Sequence, residues 1–292
     1  MIPARQIVTR VSHSQGFYSS DYNMNIYRGC CHGCIYCDSR SSCYRIENFD
    51  LVRAKENALG IIERELASKK KPGLICTGSM SDPYNPFETQ MELTRGALKL
   101  VEKYGFGISI FTKGTLVTRD IDLLTRIAAQ ATVSIRITIT TADDSLCSRI
   151  EPHSPPSSQR FEAINELSGA GLFAGLTAAP LLPFINDSVE NVEALAALAI
   201  RHKAQFFHMM PGVTLRDEQR EYFYKMLDRH FPGLRGRYQE TFGQRYYCSS
   251  PNSRKLYSAL KKALAGSGIP TGDDAILAAQ RDRNPPAQLS LF

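Results

Sequence analysis

The sequence contains no run of about eighteen or more apolar residues, the length that a membrane-crossing helix needs, so no membrane span is expected. It has no low-complexity block either. Its first residues, Met1–Arg10, interleave charges with short apolar pieces where a secretory signal would carry an apolar core. A cytoplasmic address is therefore expected. Disulfides do not persist in that compartment, so the eight cysteines read as metal ligands or buried thiols. What is present is ordinary in bulk: 292 residues, 43% apolar and 22% charged, enough for one large α/β domain or two smaller ones.

Charge is unevenly placed. Arg201 to Ala265 carries thirteen Lys and Arg against five acids, a net +8 in a chain whose total is +6. A polyanionic partner would favour such an excess, and a solvated helical face would also produce it.

From about residue 22 the chain alternates short β-rich runs with amphipathic helical stretches. Strands are expected at Asn23–Tyr27, Leu74–Cys76, Gly107–Phe111, Thr132–Thr138, Leu172–Ala178 and Ala204–His208. Helices are expected between them, at Val52–Ser68, Thr89–Tyr104, Asp120–Ala129, Gln159–Ala170 and Ser188–His202. Thr118 reads as a helix cap and Gly171 as a helix stop. Six βα units with short connections predict a parallel sheet with helices outside, and six are too few for a closed eight-stranded barrel. The expected fold is α/β, an open partial (β/α)6 barrel of TIM type with a C-terminal helical extension. Chemistry in such sheets collects at the carboxyl ends of the strands. The unusual segments 30–37, 77–88, 112–113, 140–151 and 180–187 all fall just after predicted strand ends.

The division expected is an N-terminal segment (1–21), a core (22–210), a basic aromatic extension (211–265) and a tail (266–292). In the extension Asp217–His230 reads as a helix, Phe231–Ser253 as irregular and Arg254–Ala265 as a basic helix. The final stretch from Arg281, with Pro285-Pro286, is expected to be flexible.

Four of the eight cysteines lie in Tyr27-Arg28-Gly29-Cys30-Cys31-His32-Gly33-Cys34-Ile35-Tyr36-Cys37. Thiolates on a short Gly-containing loop can each ligate a different iron of an Fe–S cube, and three ligands for four irons leave one iron open to a small chelating molecule. A structural zinc site is the alternative; His32 and Cys43 are candidate fourth ligands, but no later Cys or His pair has zinc spacing. The register is open at this point, since Cys30 and Cys31 both precede Cys34 and Cys37 at workable distances.

The pattern Cys-x-x-x-Cys-x-x-Cys with an aromatic before the last Cys resembles the signature of the radical SAM superfamily. The likeness continues in Asn25-Ile26-Tyr27-Arg28-Gly29-Cys30, in Thr77-Gly78-Ser79-Met80-Ser81-Asp82-Pro83-Tyr84-Asn85-Pro86-Phe87-Glu88 and in Leu93-Thr94-Arg95. It continues again in Phe111-Thr112-Lys113, Glu151-Pro152-His153-Ser154-Pro155 and Pro183-Phe184-Ile185-Asn186-Asp187. These segments resemble the spore photoproduct lyase-like branch, a group of DNA repair enzymes. The resemblance implies a 4Fe–4S cluster on Cys30, Cys34 and Cys37, with Cys31 a non-ligand and Tyr36 against the adenine side of S-adenosylmethionine. It implies reductive cleavage of that cofactor to a 5′-deoxyadenosyl radical, an external reductant, and hydrogen abstraction from a substrate, here damaged DNA.

Physical roles can be set beside these. Backbone groups of Thr77, Gly78 and Ser79 can hold the methionine ammonium, glycine permitting close approach. Ser81 suits the cofactor's carboxylate or ribose, and Lys113 its carboxylate. Thr138, Arg149 and Asn186, near later strand ends, can reach ribose or adenine. For each, a surface or capping role is the alternative. His208 reads as a satisfied core residue. One departure stands out: aligning through Ser81-Asp82 puts Ser79 where the family's hydrogen-donating cysteine is expected. Cys76 and Cys147 are the nearby candidates for that catalytic role, and each reads equally as a buried small apolar residue.

Eleven aromatics between Phe206 and Tyr257 interleave with the cations, notably in Arg235-Gly236-Arg237-Tyr238 and Gln244-Arg245-Tyr246-Tyr247. They suit stacking on bases, or equally an amphipathic cover with aromatics inward. The last residues, Gln288-Leu289-Ser290-Leu291-Phe292, resemble the bacterial sliding-clamp binding peptide, a tethering device on DNA. Radical modification of RNA or a protein is the alternative reaction. A metal-stabilised nucleic-acid-binding protein is the alternative without catalysis.

Overall fold

The computed structural model describes residues 1–11 and 19–283. The clamp-like peptide Gln288–Phe292 lies outside the described residues. The strands are β1 (Val8–Arg10), β2 (Tyr22–Met24), β3 (Tyr27–Arg28), β4 (Arg53–Ala54), β5 (Leu74–Thr77), β6 (Gly107–Thr112), β7 (Val133–Thr138), β8 (Ala174–Leu181), β9 (Phe207–Thr214) and β10 (Tyr247–Ser249). The helices are α1 (Ala58–Ala67), α2 (Glu88–Met91), α3 (Leu93–Lys103), α4 (Ile121–Ala128), α5 (Asp144–Ile150), α6 (Ser157–Gly169), α7 (Val189–Arg201), α8 (Asp217–His230), α9 (Leu234–Phe242), α10 (Ser253–Ala263) and α11 (Asp273–Arg281).

Alternation in the strands decides which side is covered. Ile108 and Ile110 of β6, Ile135 and Ile137 of β7, and Leu176 and Ala178 of β8 point one way, into a shared core with Leu98, Leu123, Ile164 and Leu195 of the connecting helices. Each such aliphatic side chain contributes about 1.5–3 kcal/mol by leaving water. Helices on that side bring each strand back parallel to the last. β2, β5, β6, β7, β8 and β9 are parallel neighbours in that order, with β1 and β10 antiparallel at the two edges. The sheet is an open partial (β/α)6 barrel, as expected, and it runs without a break across residue 210.

The opposite face is covered by a helix that the sequence did not reveal. Cys76, Phe111, Phe173 and Phe206 form a second apolar cluster with Ile276 of α11, in the stretch expected to be tail. On the same face Arg136 is fully buried, donating to Ser109 Oγ at 3.1 Å and to Gln280 Oε1 of α11 at 3.0 Å. Its guanidinium also lies over the rings of Phe111 and Phe206. Ile276 and Gln280, one turn apart, are the buried residues of this short helix, which leaves too thin a stripe for periodicity to detect.

Other departures have local causes. The helix expected from Val52 starts at Ala58, because Arg53–Ala54 pairs with Tyr27–Arg28 as a separate hairpin ladder. The helix expected from Thr89 to Tyr104 is broken at Glu92, which takes a left-handed conformation between α2 and α3. Thr118 does not cap a helix; its hydroxyl donates to the Thr115 carbonyl inside a 3-10 turn. The stretch expected to be irregular, Phe231–Ser253, holds α9 and β10. α6 stops just before Gly171, as expected. Among the described residues no helix is long and apolar enough to cross a membrane.

Two outcomes follow from the packing of α11. Ile276→Ala should lower stability by about 2–4 kcal/mol in urea unfolding, as a core truncation does, where a loose tail would give roughly zero. His208, buried with Nε2 3.5 Å from Asp273 Oδ1 of α11, has its imidazole pushed down from 6.5 to about 4 by burial, with Asp273 opposing and Arg136 assisting. The unfolded chain therefore binds the proton more readily. Stability is full above pH 6.5 and falls as pH drops toward about 4, by up to roughly 3 kcal/mol. His208→Gln should flatten that part of a pH–stability curve.

Candidate active site

The cysteine loop follows β2 by way of the short β3 and is pinned by three separate segments. Gly29 opens it in a left-handed conformation (φ +82°), where a Cβ would lie 2.4 Å from the Leu51 carbonyl oxygen. Cys30 N–H donates to Phe49 O at 2.8 Å. Ser81 Oγ donates to Gly29 O at 2.5 Å. On the other side, Ile35 N–H donates to Ile150 O at 3.0 Å and His153 N–H to His32 O at 3.1 Å.

Within the loop the thiols are not equivalent. Burial pushes the Cys30 thiol up, and the charges of Asp82, Cys34 and Cys37 push it further. Cys34 is pushed up to about 12, chiefly by burial, with Lys113 opposing and Glu151 and Cys37 adding to it. Cys31, raised by burial, responds next to its own backbone and to the carboxylates of Asp82 and Asp50. Among the described residues no three His, Cys, Asp or Glu side chains converge as a single-ion site requires. Cysteines spaced along one short, pinned loop suit a polynuclear cluster, where each sulfur meets its own iron.

Asp82 organises the neighbouring strand ends. It accepts from Thr112 Oγ1 (2.6 Å), Lys113 N–H (2.8 Å) and Tyr84 N–H (2.9 Å), and lies 3.4 Å from His32 Nδ1. Lys113, just past β6, thereby directs its side chain toward the cysteines, with Nζ 5.5 Å from the centroid of the Tyr36 ring. Burial opposes its charge, but Cys34 and Glu151 hold its pKa well above the ordinary lysine value. Tyr36 donates its hydroxyl to Glu151. Glu151 is paired with Arg160 at 2.6 Å, and both are buried. Burial disfavours the Glu151 charge, yet Arg160 and Lys113 keep its carboxyl below the ordinary range.

The structure brings together Cys30, Cys34, Cys37, Tyr36, Ser81 and Lys113. Thr77 and Gly78 border this group at the end of β5. A Cβ on Gly78 (φ +94°) would come within 1.8 Å of Phe111 O, so glycine is obligatory there, and Ser79 beyond it is exposed. Other expected residues are engaged elsewhere. Asn186 uses its amide internally, accepting from Leu182 N–H (2.5 Å) and donating to Thr140 O (2.8 Å). Arg149 is exposed, donates to His230 O and stacks 4.2 Å from the centre of Phe231. Thr138 is buried, and its carbonyl accepts from Arg160. Cys76 is buried in the aromatic cluster under α11, its thiol pushed up to about 11 by burial, with Arg136 opposing. Cys147 is buried against Arg160 (3.4 Å) and Glu151 (3.8 Å).

Sequence reasoning missed roles for Asp82, Glu151 and Arg160. The first two sat inside motifs already noted, next to better-known residue types. Arg160 carried no signal, because its partner lies nine residues away on a different element.

The model of the Radical SAM superfamily matches residues 24–199. An uncharacterized protein of Mycobacterium tuberculosis (strain ATCC 25618 / H37Rv) is 30% identical over 242 residues, covering 80% of this chain and 71% of its own. One from Methanocaldococcus jannaschii is 33% identical over 169 residues, 57% of this chain and 62% of its own. Among solved structures, spore photoproduct lyase complexed with dinucleoside spore photoproduct matches with a TM-score of 0.64 at 15% identity, over 86% of this chain and 76% of that one. The radical S-adenosylmethionine methyltransferase TsrM from Kitasatospora setae matches with a TM-score of 0.57 at 11% identity, over 84% and 52%. At these identities the likeness is one of fold. The chain belongs to the radical SAM superfamily, and its cofactors are those of the family, a 4Fe–4S cluster and S-adenosylmethionine.

Proposed function

We propose that Cys30, Cys34 and Cys37 hold the cluster, that Tyr36 and Lys113 border the adenosyl cofactor, and that the enzyme directs its radical at nucleic acid. The observation that supports the first part is a loop pinned through Gly29, Cys30 and Ile35 at the carboxyl ends of parallel strands, with the Lys113 ammonium over the Tyr36 ring between its cysteines. When bound, the cluster and S-adenosylmethionine supply a 5′-deoxyadenosyl radical on receiving an electron from an external reductant. The chain's own part is positional. Asp82 fixes the direction of Lys113, whose cation can balance thiolate charge and pair with a carboxylate. Ser81 holds the loop through Gly29 in place of contacting the cofactor with its O–H. Eight free cysteines accord with a reducing cytoplasm.

Nucleic acid as the target is supported by the extension, in a restricted form. Tyr238 is fully buried and cannot stack on a base, so the segment Arg235–Tyr238 is not a platform. Tyr246, Tyr247 and Tyr257 are exposed, with Arg245, Arg254 and Lys255 exposed beside them in the chain. Aromatic faces next to cations suit single strands or extruded bases. The dinucleoside spore photoproduct bound by the structural neighbour points the same way. Serine at position 79, with Cys76 and Cys147 both buried, argues for a reaction other than thymine-dimer cleavage with hydrogen return from a thiol.

Anaerobic reconstitution with iron and sulfide should give a brown protein that releases 5′-deoxyadenosine when reduced with S-adenosylmethionine. Alanine at Cys30, Cys34 or Cys37 should abolish both the visible absorbance and the product, while Cys31→Ala should retain them. Loss in Cys31→Ala with retention in Cys30→Ala would reverse the ligand assignment. For the substrate class, Tyr246→Ala with Tyr247→Ala should weaken binding of a fluorescent single-stranded oligonucleotide roughly tenfold or more, the contribution of one or two stacked bases. Equal anisotropy curves for the two proteins would remove nucleic acid from the proposal.

A further inference from the structure

We propose that Glu151, fastened by Arg160, is a positioning residue for the adenosyl cofactor, acting through Tyr36; this rests on the radical SAM reading of the site above. The geometry is a chain of directional contacts. Arg160 rises from α6, fully buried, and spends its donors on Pro155 O (2.7 Å), Thr138 O (2.9 Å), Glu151 Oε2 (2.6 Å) and Cys147 Sγ (3.4 Å). It is therefore fixed to the end of β7 and to the turn that follows α5. Glu151 has no freedom left on that side. Its other oxygen, Oε1, accepts the Tyr36 hydroxyl, with Thr140 Oγ1 at 3.5 Å.

Tyr36 is held at its opposite end too, because its backbone carbonyl accepts from Gln219 Nε2 of α8 at 3.2 Å. Its ring, fixed at both ends between Cys34 and Cys37 in sequence, faces the Lys113 ammonium. Lys113 itself is directed from the other side, by the contact of its backbone N–H with Asp82. One anchored carboxylate thus sets the plane of the ring that the Lys113 ammonium faces. Stability alone gives no reason for such a pair: a buried ion pair is often no better than well-packed apolar side chains of the same size. What apolar side chains cannot do is receive a phenol at a set point.

The test uses reconstituted protein and S-adenosylhomocysteine, a ligand that is not cleaved, with affinity read by calorimetry and iron content checked in every variant. Tyr36→Phe deletes one hydroxyl and leaves the ion pair intact, so it should fold and load iron normally. Its affinity should fall about tenfold, because a ring no longer pre-positioned must be ordered when the ligand arrives. Glu151→Gln should fall at least as far, and the double variant no further, since both act through one contact. Arg160→Lys should restore part of what Arg160→Met loses. Unchanged affinity in Tyr36→Phe, or losses that simply add in the double variant, would overturn the assignment while leaving the family reading intact. Failure of the unaltered, iron-loaded protein to bind the ligand would overturn both.

Discussion

The carboxylate of Asp82 is the point on which the site depends. Three donors from two strand-end loops converge on it, Thr112 Oγ1, Lys113 N–H and Tyr84 N–H, with the His32 imidazole beside it. Parallel strands end side by side, but that alone leaves their loops free to splay. A buried carboxylate with several donors cannot be moved without leaving those donors unpaired, at about 1–3 kcal/mol each. Asp82 therefore converts the alignment of β5 and β6 into a fixed relation between the Lys113 side chain and the cysteine loop.

Much of this was legible because repeated physics repeats in sequence. Six strands with a helix after each left a period that survives in the order of apolar runs, and the exposed carboxyl ends collected Gly, Cys, Ser and Asp where sheet interiors carry Ile and Val. The thiol spacing on one loop was legible for the same reason: the contacts are local. What remained hidden was held by distance. Arg160 and Glu151 are nine residues apart and Gln219 reaches Tyr36 from 183 residues away, so no window of sequence displays them as partners. Ser81 and Asn186 show the converse. Their types suit a cofactor contact, but backbone groups nearby claimed them first, Gly29 O for one and Leu182 N–H with Thr140 O for the other.

The basic extension resolves into two populations for a similar reason. Phe223, Tyr224, Tyr238 and Phe242 turn inward and share an apolar core with Cys34, Ile35 and Tyr36. Arg220, one of the counted cations, is also buried and donates to the carbonyls of Leu215, Gly243 and Arg245. It is the only one of the thirteen that is buried, so the count of aromatics, and not the net charge, overstated what a partner meets. The rings that remain well exposed, Tyr246, Tyr247 and Tyr257, are fewer than the composition implied.

That shared core makes the extension part of the site and not an appendage to it. α8 touches the segment beyond Cys37 through Arg216 on Asp38 and Asp217 on Ser41, and its Tyr222 ring lies 3.9 Å from the Arg40 guanidinium. Gln219 meets the Tyr36 carbonyl from the same helix. The cysteine loop, being short, irregular and rich in polar backbone, could not hold one shape through its own contacts. It is held between two bodies built from distant sequence: residues 150–160 on one side, anchored by a buried ion pair, and α8 on the other, anchored by apolar packing. A loop bounded on both sides by rigid elements keeps its side chains in register at little entropic cost when a ligand arrives, because the ordering was completed during folding.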